Sequence, residues 1–491
     1  MIVLCEEYYI RKGEGTVEKL FKLKENGTTV RTEIIAGFTT FMTMAYIIAL
    51  NPNILTGFGS EGGPELWNGV FLATCIASAI GMFVMAFLAN KPFALAPGMG
   101  LNSFFAIVVA NIAGLTGLSY TESFQAALCI ILIEGIIFLI LSVLNVREKI
   151  VDAIPRGVRL GITPAIGLML MNIGFGSNAQ VFGDDGNAYF VMKDFFGALT
   201  ANQLKDKMGD GFDLMVLTVV TMFIGLFVIV IFSHMGMKAS VLIGMLVACL
   251  VYWGGEALIL RINPFASLES ASFVPAFGDM VNTTLFKFDF ADFFDIGWFT
   301  AITLIITFCI IDMFDTIGTL VGTATRAGMV DDKGNMPKMK EALVADSVAT
   351  IAGSFMGTST VTTFVESASG VAEGGRTGLT ALTTGILFLA CMFIAPIAAI
   401  IPPAATSSAL IYVGILMISG LKKIDFEDLT QLVPVVIMLI AMPISSSIGH
   451  GIGLGLVSYT ILKVFMGKSK DVSILTYAIS ILFLVKFFLV V

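Results

Sequence analysis

The sequence predicts an all-α polytopic membrane protein of about fourteen transmembrane segments, laid out as two inverted halves of seven. Three observations carry that fold class. The chain has 491 residues, 57% of them hydrophobic and only 13% charged, with a mean hydropathy of +0.93. Soluble domains carry about 25% charge, so this chain lacks the polar residues to cover itself in water. Apolar runs of spanning length recur along it, and Lys and Arg collect in alternate loops.

The spans follow in order. Runs long enough to cross a bilayer lie near 32–51, 68–89, 122–145, 157–175, 212–233, 237–258, 297–321, 377–400, 402–420 and 430–447. Shorter or Gly/Pro-broken runs lie near 93–112, 342–357, 359–372 and 449–466. A further run, 473–490, reads as a fifteenth span or an interfacial helix. Lys22, Lys24 and Arg31 precede the first span, and Arg326, Lys333, Lys338 and Lys340 form the most basic loop. The opposite loops, such as Asn51–Trp67 and Ala110–Thr121, carry no Lys or Arg. The positive-inside rule therefore puts the N-terminus in the cytoplasm and the loops near 176–211 and 259–296 outside, where short amphipathic helices are expected. The charged N-terminus lacks a signal-peptide core, so the first span is expected to direct insertion.

These boundaries divide the chain into a cytoplasmic N-terminal segment (1–30), a first inverted repeat (31–258), an extracellular linker (259–296), a second repeat (297–466) and a C-terminal hydrophobic segment (467–491). The third unit of each half is the interrupted one. In the first half it runs from Lys91 through Pro97, Gly98 and Gly100 to Phe105; in the second it runs from Gly357 to Ser367. Paired interrupted segments in matching positions are the sequence mark of a transporter binding site. Irregular backbone at membrane depth persists only where protein or a wet cavity satisfies it.

Composition excludes several function classes. The net charge of −8 is spread over loops and termini, and no concentrated basic patch suits nucleic acid. Six cysteines without a CxxC pair, and only two histidines (His234 and His450), leave no basis for a disulfide framework or a metal centre. No metal or cofactor is expected, and no nucleophile–base set of an enzyme is visible. The Gly-rich stretches lack the Gly-Lys-Ser/Thr ending of a phosphate loop.

What remains is a group of intramembrane polar residues. A carboxylate in the hydrocarbon region costs several kcal/mol, so such residues usually line a polar path or a binding site. Asp312 and Asp315 are three apart, which puts both carboxylates on one helix face beside Thr316 and Thr319. Two acids so close in low dielectric repel, and one is expected to hold a proton. Glu366 follows Thr358, Ser359, Thr360, Thr362, Thr363 and Phe364, a Thr/Val-rich stretch that favours extended backbone with a helix starting near Ser367. A carboxylate accepts two side-by-side N–H donors, as guanine presents. Phe104 or Phe364 is placed to stack on a flat ring or to pack against lipid and core. Asn102, at the matching point of the first half, suits a base edge through its amide, or caps a helix. Glu134 and Asp346 fit either a proton path or inter-helix hydrogen bonding. Glu373 and Arg376 read as an exposed pair or a gate.

Together these motifs resemble the nucleobase–cation symporters. Arg31–Gly37, Ala96–Asn102, Phe314–Leu320 and Thr363–Ser367 look like the AzgA-like adenine, guanine and hypoxanthine permeases, from about Glu18 to the C-terminus. The resemblance implies fourteen spans in two inverted repeats, a core and a gate domain, and short antiparallel strands of the third and tenth units meeting at the substrate. It implies purine binding by Glu366 and Asn102, with Asp312 binding it or lying beside it, and proton coupling through Asp315 or the Asp312–Asp315 pair. Thr363 belongs to the same motif. The expected activity is import of a purine nucleobase with a proton across the plasma membrane by elevator movement, and such carriers are often dimers. The nearest alternative keeps the fold and changes the solute to uracil, xanthine, urate or another small molecule. An anion carrier would favour a cation or bare helix N-termini where Glu366 sits.

Overall fold

The computed structural model describes residues 15, 17–57, 61–144, 155–176, 211–269, 271–326, 329, 336–445 and 448–489. The long loop near 176–211 therefore lies almost wholly outside the described residues. The first half begins with α1 (Val30–Met44), capped by the Thr29 side chain accepting from the Thr32 amide. The chain breaks at Ala45–Tyr46 and resumes as α2 (Ile47–Leu55), so the first span is two helical pieces. Then come α3 (Gly63–Val84), β1 (Leu95–Pro97), α4 (Met99–Thr116), α5 (Tyr120–Val143), α6 (Arg156–Phe175), α7 (Gly211–His234) and α8 (Ser240–Gly255). A capping box of Ser119 and Glu122 starts α5.

The linker carries two short helices, α9 (Phe277–Thr283) and α10 (Phe290–Asp295). The second half contains α11 (Trp298–Arg326), α12 (Met339–Met356), β2 (Val361–Thr363), α13 (Ser367–Ala372), α14 (Gly378–Ala390), α15 (Ala395–Ala399), α16 (Pro403–Ile418), α17 (Leu429–Ser445) and α18 (Ile448–Phe465). The run near 473–490 forms α19 (Ile474–Leu489), which packs on α18 and α11.

Eleven helical stretches among the described residues are long and apolar enough to cross a membrane. The other three units have identifiable reasons for falling short of that measure. Lys340 and Glu341 charge the first turn of α12, β2 and α13 share one unit between strand and helix, and α17 has 17 residues.

The helices sort into two bundles, each built from both halves. One combines α1–α5 with α11–α14; the other combines α6–α8 with α16–α18. The second bundle is centred on α6 crossing α16. There a Cβ on Gly167 would stand 2.6 Å from the Gly414 carbonyl oxygen, and one on Gly414 2.5 Å from that of Gly167. Small residues let membrane helices approach this closely. Large apolar side chains point outward, including Phe227, Leu258, Ile444 and Phe465, each at least 60% exposed. Hydrocarbon, rather than water, suits that surface.

Candidate functional site

The site forms where the two interrupted units meet inside the first bundle. β1 and β2 pair antiparallel, with Leu95 opposite Thr363, Ala96 opposite Thr362 and Pro97 opposite Val361. Pro92 and Pro97 disfavour helix before and within β1, and Val361–Thr363 is β-branched throughout. The pairing extends on both sides. The Gly98 amide donates to the Thr360 carbonyl and the Phe364 amide to the Ala94 carbonyl. Each strand runs directly towards a helix start: α4 from Met99, α13 from Ser367.

Buried side chains hold this crossing from behind. The Thr360 hydroxyl donates to Glu134 of α5 at 2.7 Å. The Thr363 amide donates to Asp346 of α12 at 3.2 Å, and its hydroxyl lies 3.5 Å from the same oxygen. The Thr316 hydroxyl, on α11, lies 3.0 Å from Asp312 Oδ1, 3.0 Å from Asp346 Oδ2 and 2.6 Å from the Thr362 hydroxyl. Three helices thus hold the segment 360–363 through hydroxyls and carboxylates. In low dielectric such a network, once satisfied, fixes a single geometry.

The structure separates the two candidate aspartates by accessibility. Asp312 is fully buried behind the crossing, and its link to β2 runs through Thr316. Asp315 is half-buried. Its Oδ2 lies 3.6 Å from where a Cβ on Gly98 would stand, so it faces the start of α4. Glu366, also half-buried, sits at the N-terminal end of α13, where the Tyr46 hydroxyl donates to its Oε1 at 2.7 Å. Asn102 is fully buried, with both ends of its amide engaged. Nδ2 donates to the Pro97 carbonyl at 3.2 Å, and Oδ1 accepts from the Ser359 hydroxyl. Phe104 is buried against Phe308, ring centroids 4.7 Å apart, and Phe364 is buried as well.

All the candidates therefore lie in or against one crossing, and of the three acids among them Glu366 and Asp315 are half-buried whereas Asp312 is fully buried. The residue that reading the sequence misses is Tyr46. It sits in an apolar run, and only the later Asn51–Pro52 pair hints that this helix is interrupted. Glu134 and Asp346 make the hydrogen bonds expected of one of their two readings, to Thr360 beside β2 and Thr363 within it. Glu373 and Arg376 do not pair with each other. Glu373 pairs with Lys238, from the loop before α8, while the Arg376 guanidinium donates to the Val371 and Gly375 carbonyls. Glu33, buried at the start of α1, accepts the Arg376, Thr377 and Thr380 amides and the Thr380 hydroxyl. It fixes the opening of α14 to α1.

Two half-buried acids beside a hydroxyl-lined crossing can accept hydrogen bonds from a small polar solute. No group of three His, Cys, Asp or Glu residues able to hold a metal occurs among the described residues. Fold and site together describe a multi-pass membrane protein with a polar crossing buried among its helices. A family model described as the Permease family matches residues 31–454. The chain belongs to that family. It is similar to the adenine permease AdeP of Escherichia coli (strain K12), 38% identical over 474 residues, 96% of each chain. It is also similar to the guanine/hypoxanthine permease PbuO of Bacillus subtilis (strain 168), 35% identical over 479 residues, 96% of this chain and 100% of that one. Among solved structures, the transmembrane domain of a cyanobacterium bicarbonate transporter BicA matches with a TM-score of 0.60. It covers 86% of this chain and 97% of that one at 13% identity, a likeness of fold alone.

Proposed function

We propose that this chain imports purine nucleobases, among them hypoxanthine, guanine and adenine, across the plasma membrane together with a proton. The observation that carries the reading is the pair of half-buried acids, Glu366 and Asp315, at the β1–β2 crossing. A carboxylate suits ring N–H and exocyclic amine donors. Support comes also from the adenine permease AdeP and the guanine/hypoxanthine permease PbuO, which the chain matches over nearly its whole length.

In this reading Glu366 accepts hydrogen bonds from the base. Asn102 holds Pro97 and Ser359 so that the two strands meet at the right height, with Thr363, Phe104 and Phe364 shaping the wall. Asp315, the less buried of the two aspartates, takes the proton, and Asp312 steadies β2 through Thr316. Base and proton together neutralise the first bundle, which then slides past the second as an elevator. The empty, unprotonated bundle keeps exposed charge and moves poorly, since charge at membrane depth costs several kcal/mol. The N-terminus lies in the cytoplasm by the charge of the loops.

The test is uptake of labelled hypoxanthine into a purine-transport-deficient host, with guanine, adenine, uracil and xanthine as competitors, with and without a protonophore. Uptake blocked by guanine or adenine and collapsed by the protonophore is expected. Competition by uracil alone overturns the purine assignment, and competition by xanthine alone overturns the choice of hypoxanthine, guanine and adenine among purines. Uptake indifferent to the protonophore removes the proton role of Asp315.

A further inference from the structure

An ion pair joins the two bundles. Lys238, on the turn between α7 and α8, pairs with Glu373, the residue that follows α13. Two other ion pairs, Lys22–Glu25 and Lys463–Asp471, are local in the chain. The Lys238–Glu373 pair instead crosses the seam where α8 packs on α1. Each partner is mounted firmly on its own bundle. On the second, the Gly236 and Met237 amides donate to the Ser233 and Phe232 carbonyls, and the Ser240 amide to the Met237 carbonyl, which ties the turn of Lys238 to α7 and α8. On the first, the Glu373 and Gly375 amides donate to the Gly370 carbonyl, and the Thr28 hydroxyl donates to the Gly374 carbonyl at 3.4 Å. Glu33 holds the amides of Arg376 and Thr377. A Cβ on Gly370 would stand 2.1 Å from Thr40 Oγ1, so this end of α13 is pressed against α1. The Arg376 guanidinium is spent on the Val371 and Gly375 carbonyls, which leaves Glu373 to Lys238.

We propose that Lys238 and Glu373 form a latch between the bundles, one that favours the arrangement seen in the structure over the one reached when the first bundle slides. With both mounts fixed, a slide larger than the slack of the two side chains parts the charges. An interaction made in one arrangement and lost in the other shifts the balance between them by its own worth. The Lys238 and Glu373 side chains are 38% and 34% exposed, so each returns readily to water when parted, and the latch is weak. Weakness suits a carrier that must change arrangement in every cycle, because the bias does not become a trap. The inference rests on the sliding movement in the proposed function and not on which solute is carried.

The experiment measures the distance between spin labels on the two bundles, by pulsed electron resonance in lipid nanodiscs. The labels go on Leu115→Cys at the end of α4 and Met235→Cys just beyond α7, both exposed positions. The parent is expected to show two distance populations, with the one that matches the structure in excess. Glu373→Gln and Lys238→Gln are each expected to lower that excess about two- to fivefold, the worth of a partly exposed ion pair. Either variant is read without the other, so the failure of one to fold leaves the test intact. The charge-swapped double variant, Lys238→Glu with Glu373→Lys, is expected to return the ratio to within about twofold of the parent, as two groups in direct contact require. Two populations that neither single variant shifts would overturn the latch and leave the sliding movement standing. A single population in the parent and every variant would defeat the latch and the elevator movement together. The expected shift in a chain that takes up no purine would uphold the latch and defeat the purine reading.

Discussion

Leu95–Pro97 and Val361–Thr363 are both three-residue strands running into a helix start, and they lie against each other, yet their chemistry differs. The first is apolar and closed by Pro97 and Gly98, and the polar side chain that follows, Asn102, is buried and spends its amide on the Pro97 carbonyl and the Ser359 hydroxyl. The second is held through hydroxyls and its amide to acids on two neighbouring helices, and leads to Glu366, which remains half-buried. Two units that occupy equivalent places in inverted halves have divided the work. In the proposed reading the first supplies backbone shape and the second supplies charge. Symmetry of fold therefore does not mean symmetry of role, and substitutions in the two units should differ in kind.

The largest break in that comparison is Glu366→Gln. The amide keeps the size and one acceptor but loses the charge and one of two acceptor oxygens. Truncating one member of a buried charged hydrogen bond costs 2–5 kcal/mol or more, so purine uptake is expected to fall by roughly 100-fold. The check is hypoxanthine uptake beside immunodetection at the membrane. Near-normal uptake would return Glu366 to a structural role.

A smaller effect is expected in the first unit. Asn102→Ala leaves the Ser359 hydroxyl and the Pro97 carbonyl without their partner, and an unmet buried group costs about 1–3 kcal/mol. Uptake is expected to fall about tenfold. Asn102→Gln should not rescue it, because the longer side chain cannot meet both partners. If Asn102 contacts the base directly, the loss would instead differ strongly among purines, and competition curves distinguish the two outcomes.

The same contrast marks what the sequence makes legible. Spans, basic loops and interrupted units follow from hydropathy, charge and Gly/Pro placement, all local quantities. Glu366, Asp312 and Asp315 stand out because acids are rare in apolar runs. The partner of Glu366 does not stand out. Tyr46 is a common residue in a hydrophobic helix, and its meaning comes from a contact 320 positions away. The roles of Asp312 and Asp315 separate only in three dimensions as well. Spacing of three sets both on one face, but packing against α12 and β2 buries the first and leaves the second half-open. Glu134 and Asp346 likewise show their anchoring role only once the strand they hold is in place.

The smallest predicted effect tests whether backbone shape is the contribution of the first unit. Gly98 has φ −71, which any residue adopts, so its glycine is required for space and not for conformation. A Cβ there would stand 2.7 Å from Cγ2 of Thr362 across the strand pair, and 3.4 Å from Cδ1 of Leu101. Gly98→Ala therefore pushes β1 away from β2 next to Asp315, and overpacking of this size costs about 1 kcal/mol or somewhat more. Uptake is expected to fall about fivefold. Thr362→Ser removes the obstructing methyl and keeps the hydroxyl that meets Thr316. On its own it should change uptake little, and in the double variant it should restore most of the loss. Such non-additivity is the signature of two groups in direct contact. Losses that simply add would place the constraint on Gly98 elsewhere, against Leu101 or the solute itself, and the division of labour between the two strands would then rest on Asn102 alone.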